Sequence, residues 1–185
     1  MDELHIQKVL KGDTEAFRYF VQQYKDMVFK LAMSILKNEF DARDATQDAF
    51  IIAFRKMKSF RGRSKFSTWL CRIVINEALK KTEANGMVLL PTDELPDSVY
   101  EEIPFAFSAL QEEEQGYYID LAMQQLVPKE AIALTLHYLQ DQSLEQIHQI
   151  TGWSVSNVKV ILHRARRSMY AQLGVLLKKE KRELY

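Results

Sequence analysis

The stretch SLEQIHQITGWSVSNVKVILHRARRSM, Ser143–Met169, decides how this chain folds. Ser143 followed three residues on by Gln146 is a capping box that opens a helix. Gly152 supplies the left-handed residue that stops it, and Ser154 starts the next one. In the second helix Val155, Val158, Leu162, Ala165 and Met169 recur at spacings of 3, 4, 3 and 4, which is one buried face. The other face carries Ser156, Asn157, Lys159, His163, Arg164, Arg166 and Arg167. Two short helices joined by TGW form a helix-turn-helix, whose second helix enters the major groove of DNA. Small polar groups at its start suit base edges, and the cations that follow suit phosphates. A membrane-surface helix would need a wider, bulkier apolar face than Val and Ala provide. An ordinary amphipathic surface helix remains the other reading of the stretch taken alone.

The rest of the chain is helical in pattern too. With six glycines and four prolines among 185 residues, long stretches contain neither, which favours helices over a many-stranded sheet. Phe17, Val21, Tyr24, Val28, Leu31 and Ile35 recur at spacings of 4, 3, 4, 3 and 4 in a helix that Asp13 or Thr14 caps after Gly12. A third helix is expected from about Asp41 to Met57, with Ala45, Ala49, Ile52 and Phe54 as its apolar contacts. Ser67 is expected to cap a fourth, TWLCRIVINEALKK. Residues 82–109 hold three of the four prolines and no stable period, the mark of a linker. Its apolar residues either pack against a lobe or dock on a partner. Helices resume near Leu110, and Pro128 suits the first position of PKEAIALTLHYLQ. The fold class is therefore all-α: two small helical domains, 1–81 and 110–185, joined by a flexible acidic linker, the C-terminal domain containing the helix-turn-helix.

A formal net charge of zero argues against nucleic acid until the charges are placed along the chain. Residues 1–81 carry 16 basic and 10 acidic side chains, residues 82–128 carry none and 10, and residues 129–185 carry 9 and 5. Two basic lobes flank an acidic middle, and local fields govern association more than their sum. Nine cations and one acid lie between Arg55 and Lys81. Within that run the loop SFRGRSKF interleaves rings with charge, as single-stranded nucleic acid would require. Its Phe60 and Phe66, with Trp69 beyond, read equally as core anchors. Arg72, Asn76 and Lys80 form a stripe four residues apart.

Enzymatic readings find little support. The six glycines are far apart, so no phosphate loop exists, and the four histidines show no metal-ligand spacing. Lone Cys71 rules out an internal disulfide, fits a reducing cytosol, and reads as core rather than nucleophile. Asp44 and Asp48 share one helix face but no evident pocket. Catalytic residues, metal and cofactors are expected to be absent, as is a small-molecule substrate. No apolar run approaches the roughly 20 residues of a membrane span, and the N-terminus lacks an apolar signal core, so no direct membrane insertion and a cytoplasmic location are expected.

The segments GDTEAF, ARDATQDAF, SFRGRSKFSTWLCRIVINEALKK and the helix-turn-helix unit occur in the order seen in bacterial sigma factors of the extracytoplasmic-function (ECF) group, which the chain resembles over about 150 residues. The resemblance implies binding to core RNA polymerase and recognition and melting of promoter DNA. It places Asp44, Gln47 and Asp48 on the surface that grips the polymerase clamp. It places Arg61, Arg63, Lys65 and Phe66, with Arg72, Asn76 and Lys80, on the downstream promoter element. Ser156, Asn157, Lys159, His163, Arg164 and Arg167 fall on the upstream element. The acidic linker matches a segment threading toward the polymerase active centre, and an anti-sigma factor is an implied partner. Where the family often has Thr before the Val-Lys pair and Ser-Arg after it, this chain has Asn157, Val160 and Ile161, and an acidic stretch follows NEALKK directly. The alternatives are a helix-turn-helix regulator that never engages polymerase, and a helical adaptor that binds no DNA.

Overall fold

The computed structural model describes residues 1–84 and 111–183, the side chains as far as 178. All regular elements among the described residues are helical. The first lobe contains α1 (Asp2–Leu10), α2 (Arg18–Leu36), α3 (Glu39–Arg55) and α4 (Phe66–Ala84). The second contains α5 (Glu112–Gln124), α6 (Pro128–Leu134), α7 (Leu144–Thr151) and α8 (Val155–Glu183). Most of the linker predicted at 82–109 lies outside the described residues. Its first three residues do not: α4 continues through Ala84, with Thr82 buried.

Local chemistry sets the helix ends. Asp13 accepts the backbone N–H of Ala16, opening a short 3-10 turn at Thr14–Phe17 that leads into α2. Lys37, at φ 59° in the left-handed region, ends α2, and Asn38 then caps α3 by accepting the N–H of Asp41. α3 thus starts two residues earlier than expected and ends at Arg55, with a 3-10 turn at Met57–Ser59 taking up its last residues. α4 begins at Phe66, so Ser67 lies inside the helix and does not cap it.

The helix expected from Pro128 is not uniform. Past Leu134 the backbone widens into a π turn, Thr135–Leu139, and the buried Thr135 hydroxyl finds no hydrogen-bond partner there. Widened turns of this kind re-aim the side chains that follow. Here the following residue is Gln140, whose amide donates to the Met27 carbonyl of the first lobe at 3.2 Å.

Of the predicted apolar stripe, Val28, Leu31 and Ile35 are fully buried, Phe17 is nearly so, and Val21 and Tyr24 are half-buried. They share one continuous core with Leu70 and Val74 of α4 and with Ile132, Leu136, Ile147, Val158 and Leu162 of the second lobe. The lobes are therefore packed against each other along α2, α4, α6 and α7. α1 closes the first lobe, as Asp2 accepts hydrogen bonds from Tyr19 (3.0 Å) and Tyr24 (2.6 Å). A smaller apolar cluster of Tyr118, Ala122, Leu173 and Leu177 joins α5 to the far part of α8.

Candidate nucleic-acid interface

The helix-turn-helix forms as its sequence dictates. Ser143 and Gln146 exchange both hydrogen bonds of the capping box, at 3.2 and 2.8 Å. Gly152 takes φ 78°, a conformation that strains any side-chain-bearing residue, and lets the chain turn sharply between α7 and α8. The Ser154 hydroxyl then accepts the Asn157 N–H at 3.2 Å and lies 3.1 Å from the Ser156 hydroxyl. This small hydroxyl cluster satisfies donors that the helix start would leave open.

From that start α8 divides cleanly. Val158, Leu162 and Ala165 are buried as expected. Ser156, Asn157, Lys159, His163 and Arg164 are exposed, and Arg167 is half-buried. Arg166, placed on the same face by sequence, turns to the Tyr138 hydroxyl, donating to it at 3.2 Å. Arg164 stands in the field of Glu130 on α6. Burial raises that carboxyl above its ordinary value, against the opposing pull of Ser168 and Arg164. Ile161, named among the departures from the family, is only 9% exposed and belongs to the core, whereas Val160 is 47% exposed on the outer face.

The basic run of the first lobe separates into three parts. Arg61, Arg63 and Lys65 are exposed on a loop that turns at Gly62, φ 66°. Phe66 does not join them. It is 2% exposed and packed, tilted or edge-on, among Phe20, Tyr24, Phe60 and Trp69, so the core reading of these rings is the one realised. Along α4, Arg72, Asn76 and Lys80 form the expected exposed stripe, but two of the three have partners. Lys80 pairs with Glu77 at 2.7 Å. Arg72 reaches across to the second lobe and donates to the last carbonyls of α7, Gln149 at 2.6 Å and Ile150 at 3.3 Å. Arg63 and Arg72 thus line a cleft whose opposite wall is His148, Gln149 and Gly152.

On α3, Asp44 and Gln47 are exposed and Asp48 half-buried, forming one acidic face. Sequence reading missed its intramolecular partner. Lys81 of α4 lies 3.1 Å from Asp44 and 3.8 Å from Asp48, and the hydrogen bond to Asp44 is the main cause of its raised pKa. The other missed contacts are at the seam between the lobes. Lys37 donates to the Met123 carbonyl at the end of α5, and burial lowers its pKa to about 8. Cys71 donates to Gln140 at 3.6 Å, and burial pushes its thiol up to about 12, which makes it an inert core residue. No group of three or more His, Cys, Asp or Glu residues that could hold a metal occurs among the described residues, and no helix there is long and apolar enough to cross a membrane.

Comparison with known proteins follows the same division. Residues 20–85 match the family Sigma-70 region 2, and residues 117–169 match Sigma-70, region 4. The chain is 32% identical over 184 residues to the ECF RNA polymerase sigma factor SigW of Bacillus subtilis, covering 94% of this chain and 97% of that protein. It is 30% identical over 188 residues to the ECF RNA polymerase sigma-E factor of Escherichia coli, covering 96% and 97%. Its fold is similar to that of the sigma factor RpoE from Bartonella quintana, solved in complex with the anti-sigma factor NepR, at a TM-score of 0.64 and 20% identity over 88% of this chain and 99% of that one. Two family regions in the right order, and relatives aligned over nearly their whole length, give one conclusion: the chain belongs to the extracytoplasmic-function sigma factors, which bind core RNA polymerase and direct it to promoter DNA.

Proposed function

We propose a division of labour among three surfaces of this sigma factor. The α3 face of Asp44, Gln47 and Asp48 grips the polymerase clamp. The loop cations Arg61, Arg63 and Lys65, with Arg72, Asn76 and Lys80 of α4, engage the downstream promoter element. The exposed residues of α8 (Ser156, Asn157, Lys159, His163, Arg164 and Arg167) read the upstream element. In this reading the two DNA-contacting domains are 1–81 and 110–185, with the acidic linker between them. The chain performs no catalysis of its own: contacts to polymerase and to DNA stabilise the melted strand. It acts in the cytoplasm, and an anti-sigma factor holds it inactive, as the complex solved for the Bartonella quintana relative suggests by analogy.

One observation carries the reading. A capped helix-turn-helix turns an exposed, cationic helix face outward while Val158, Leu162 and Ala165 on the opposite face of the same helix are buried, and a separate basic loop stands on the other lobe. Run-off transcription with core polymerase and DNA selected by the assembled complex tests it. Initiation should depend on the protein, and Asp44→Lys with Asp48→Lys should reduce it at least tenfold, on the order of a lost charged interface pair, while leaving the fold intact. Transcripts that appear equally without the protein, or with the charge-reversed variant, would overturn it.

A further inference from the structure

The outer face of α8 is not uniformly polar. Val160 stands out of its second turn at 47% exposure, while the apolar residues beside it, Val158, Ile161 and Leu162, are 0, 9 and 3% exposed. At helical spacing its surface neighbours are Ser156 and Asn157 one turn back and His163 and Arg164 one turn on, all exposed. A branched hydrocarbon is therefore centred in a polar and cationic surface. Helix formation does not ask for it, because β-branched valine loses side-chain freedom in a helix that Lys or Gln would keep.

A single exposed apolar residue is ordinary on a protein surface. The information is in its place. The first turns of a recognition helix are the part that reaches base edges, and the only apolar group a base pair displays in the major groove is the C5-methyl of thymine. The cap geometry fixes the orientation, since the Ser154 hydroxyl holds the Asn157 backbone at 3.2 Å and Val160 lies one turn further on. We propose that Val160 is a specificity-determining residue that reads a thymine of the upstream element through its methyl group. Serine, which the family often has there, offers no comparable contact to that methyl. The inference rests on the reading of α8 as the upstream recognition helix.

The test uses the full chain assembled with core polymerase. DNA is first selected from a random library, and each thymine of the enriched upstream element is then replaced in turn by deoxyuridine, which lacks only the methyl. One replacement should weaken binding about fourfold, the worth of burying one methyl-sized group. That penalty should vanish in Val160→Ala and persist in Val160→Thr, which keeps one γ-methyl. Deoxyuridine without effect at every thymine, or an unchanged penalty in Val160→Ala, overturns the assignment. If the complex assembles but enriches no upstream sequence, the major-groove reading of α8 fails, and the assignment fails with it.

Discussion

Arg164 and Arg167 follow each other at a three-residue spacing on the outer side of α8, one exposed and one half-buried. In the proposed upstream complex these two cations follow the small groups at the helix start and are assigned to the phosphate backbone. Phosphate contacts release counterions and give binding a steep salt dependence. Arg164→Ala with Arg167→Ala should therefore weaken DNA binding by the polymerase complex to a similar degree across sequences. The slope of log affinity against log salt should fall by roughly two, one for each phosphate no longer neutralised. Fluorescence anisotropy at several salt concentrations measures this, and an unchanged slope would remove both arginines from the interface. Phe66 shows the opposite case. Its neighbours Arg63 and Lys65 are exposed, but its own ring lies in an aromatic cluster with Phe20 and Trp69. Composition places all three in one basic, aromatic loop, and only burial separates the core ring from the surface cations.

At the scale of the elements, the turn between α7 and α8 fixes how far the recognition helix projects. Gly152 sits at φ 78° with open space where a Cβ would be built, so backbone conformation and not crowding penalises a side chain there. Gly152→Ala should cost about 1 kcal/mol, a fall of roughly 2–4 °C in melting temperature for a chain of this size. Calorimetry checks this, and a melting temperature that is unchanged or higher would show that the turn tolerates the right-handed alternative. Signals of this local kind were legible in the sequence. The capping box at Ser143, the stop at Gly152, Pro128 at a first helical position and the α2 stripe all depend on residues within a turn or two of each other. The π turn at Thr135–Leu139 was not legible, because the run through it carries no glycine or proline to mark a change of helix. Nor was the role of Lys81, which meets Asp44 across 37 residues of chain. Counting charges along the sequence assigned Lys81 to the basic run, whereas folding sets it against the acidic face of α3.

Across the seam between the lobes, two cations of the first lobe sit on helix ends of the second. Arg72 takes the last carbonyls of α7 and Lys37 the last turn of α5, so each meets the negative end of a helix dipole and satisfies acceptors the helix leaves unpaired. Arg72 is also a proposed downstream DNA contact, and to reach DNA it must release these two carbonyls, which loosens the seam. The parting can be followed by energy transfer between dyes placed at Lys25→Cys and Glu145→Cys, both exposed positions, with Cys71 kept unlabelled by its burial. Arg72→Ala removes two hydrogen bonds from a charged donor that is partly open to water. At about 1 kcal/mol it should raise the parted fraction about fivefold. Lys37 adds a pH dependence. Burial lowers its pKa from 10.5 to about 8 in the docked form, while Lys30 and Asp120 line the same groove. Once parted, Lys37 returns to water and to its ordinary value, so between about 8 and 10.5 the parted form binds more protons than the docked form. Docking must then strengthen as pH rises through that window, and the dependence must vanish below about 8, where both forms hold the proton. The parted fraction should fall on the order of tenfold across the window, which is single-proton linkage discounted for burial supplied by the first lobe itself. Lys37→Met should flatten the profile. A pH response that survives in Lys37→Met would assign it to other groups, and a parted fraction insensitive to Arg72→Ala would show that the apolar core alone holds the lobes together.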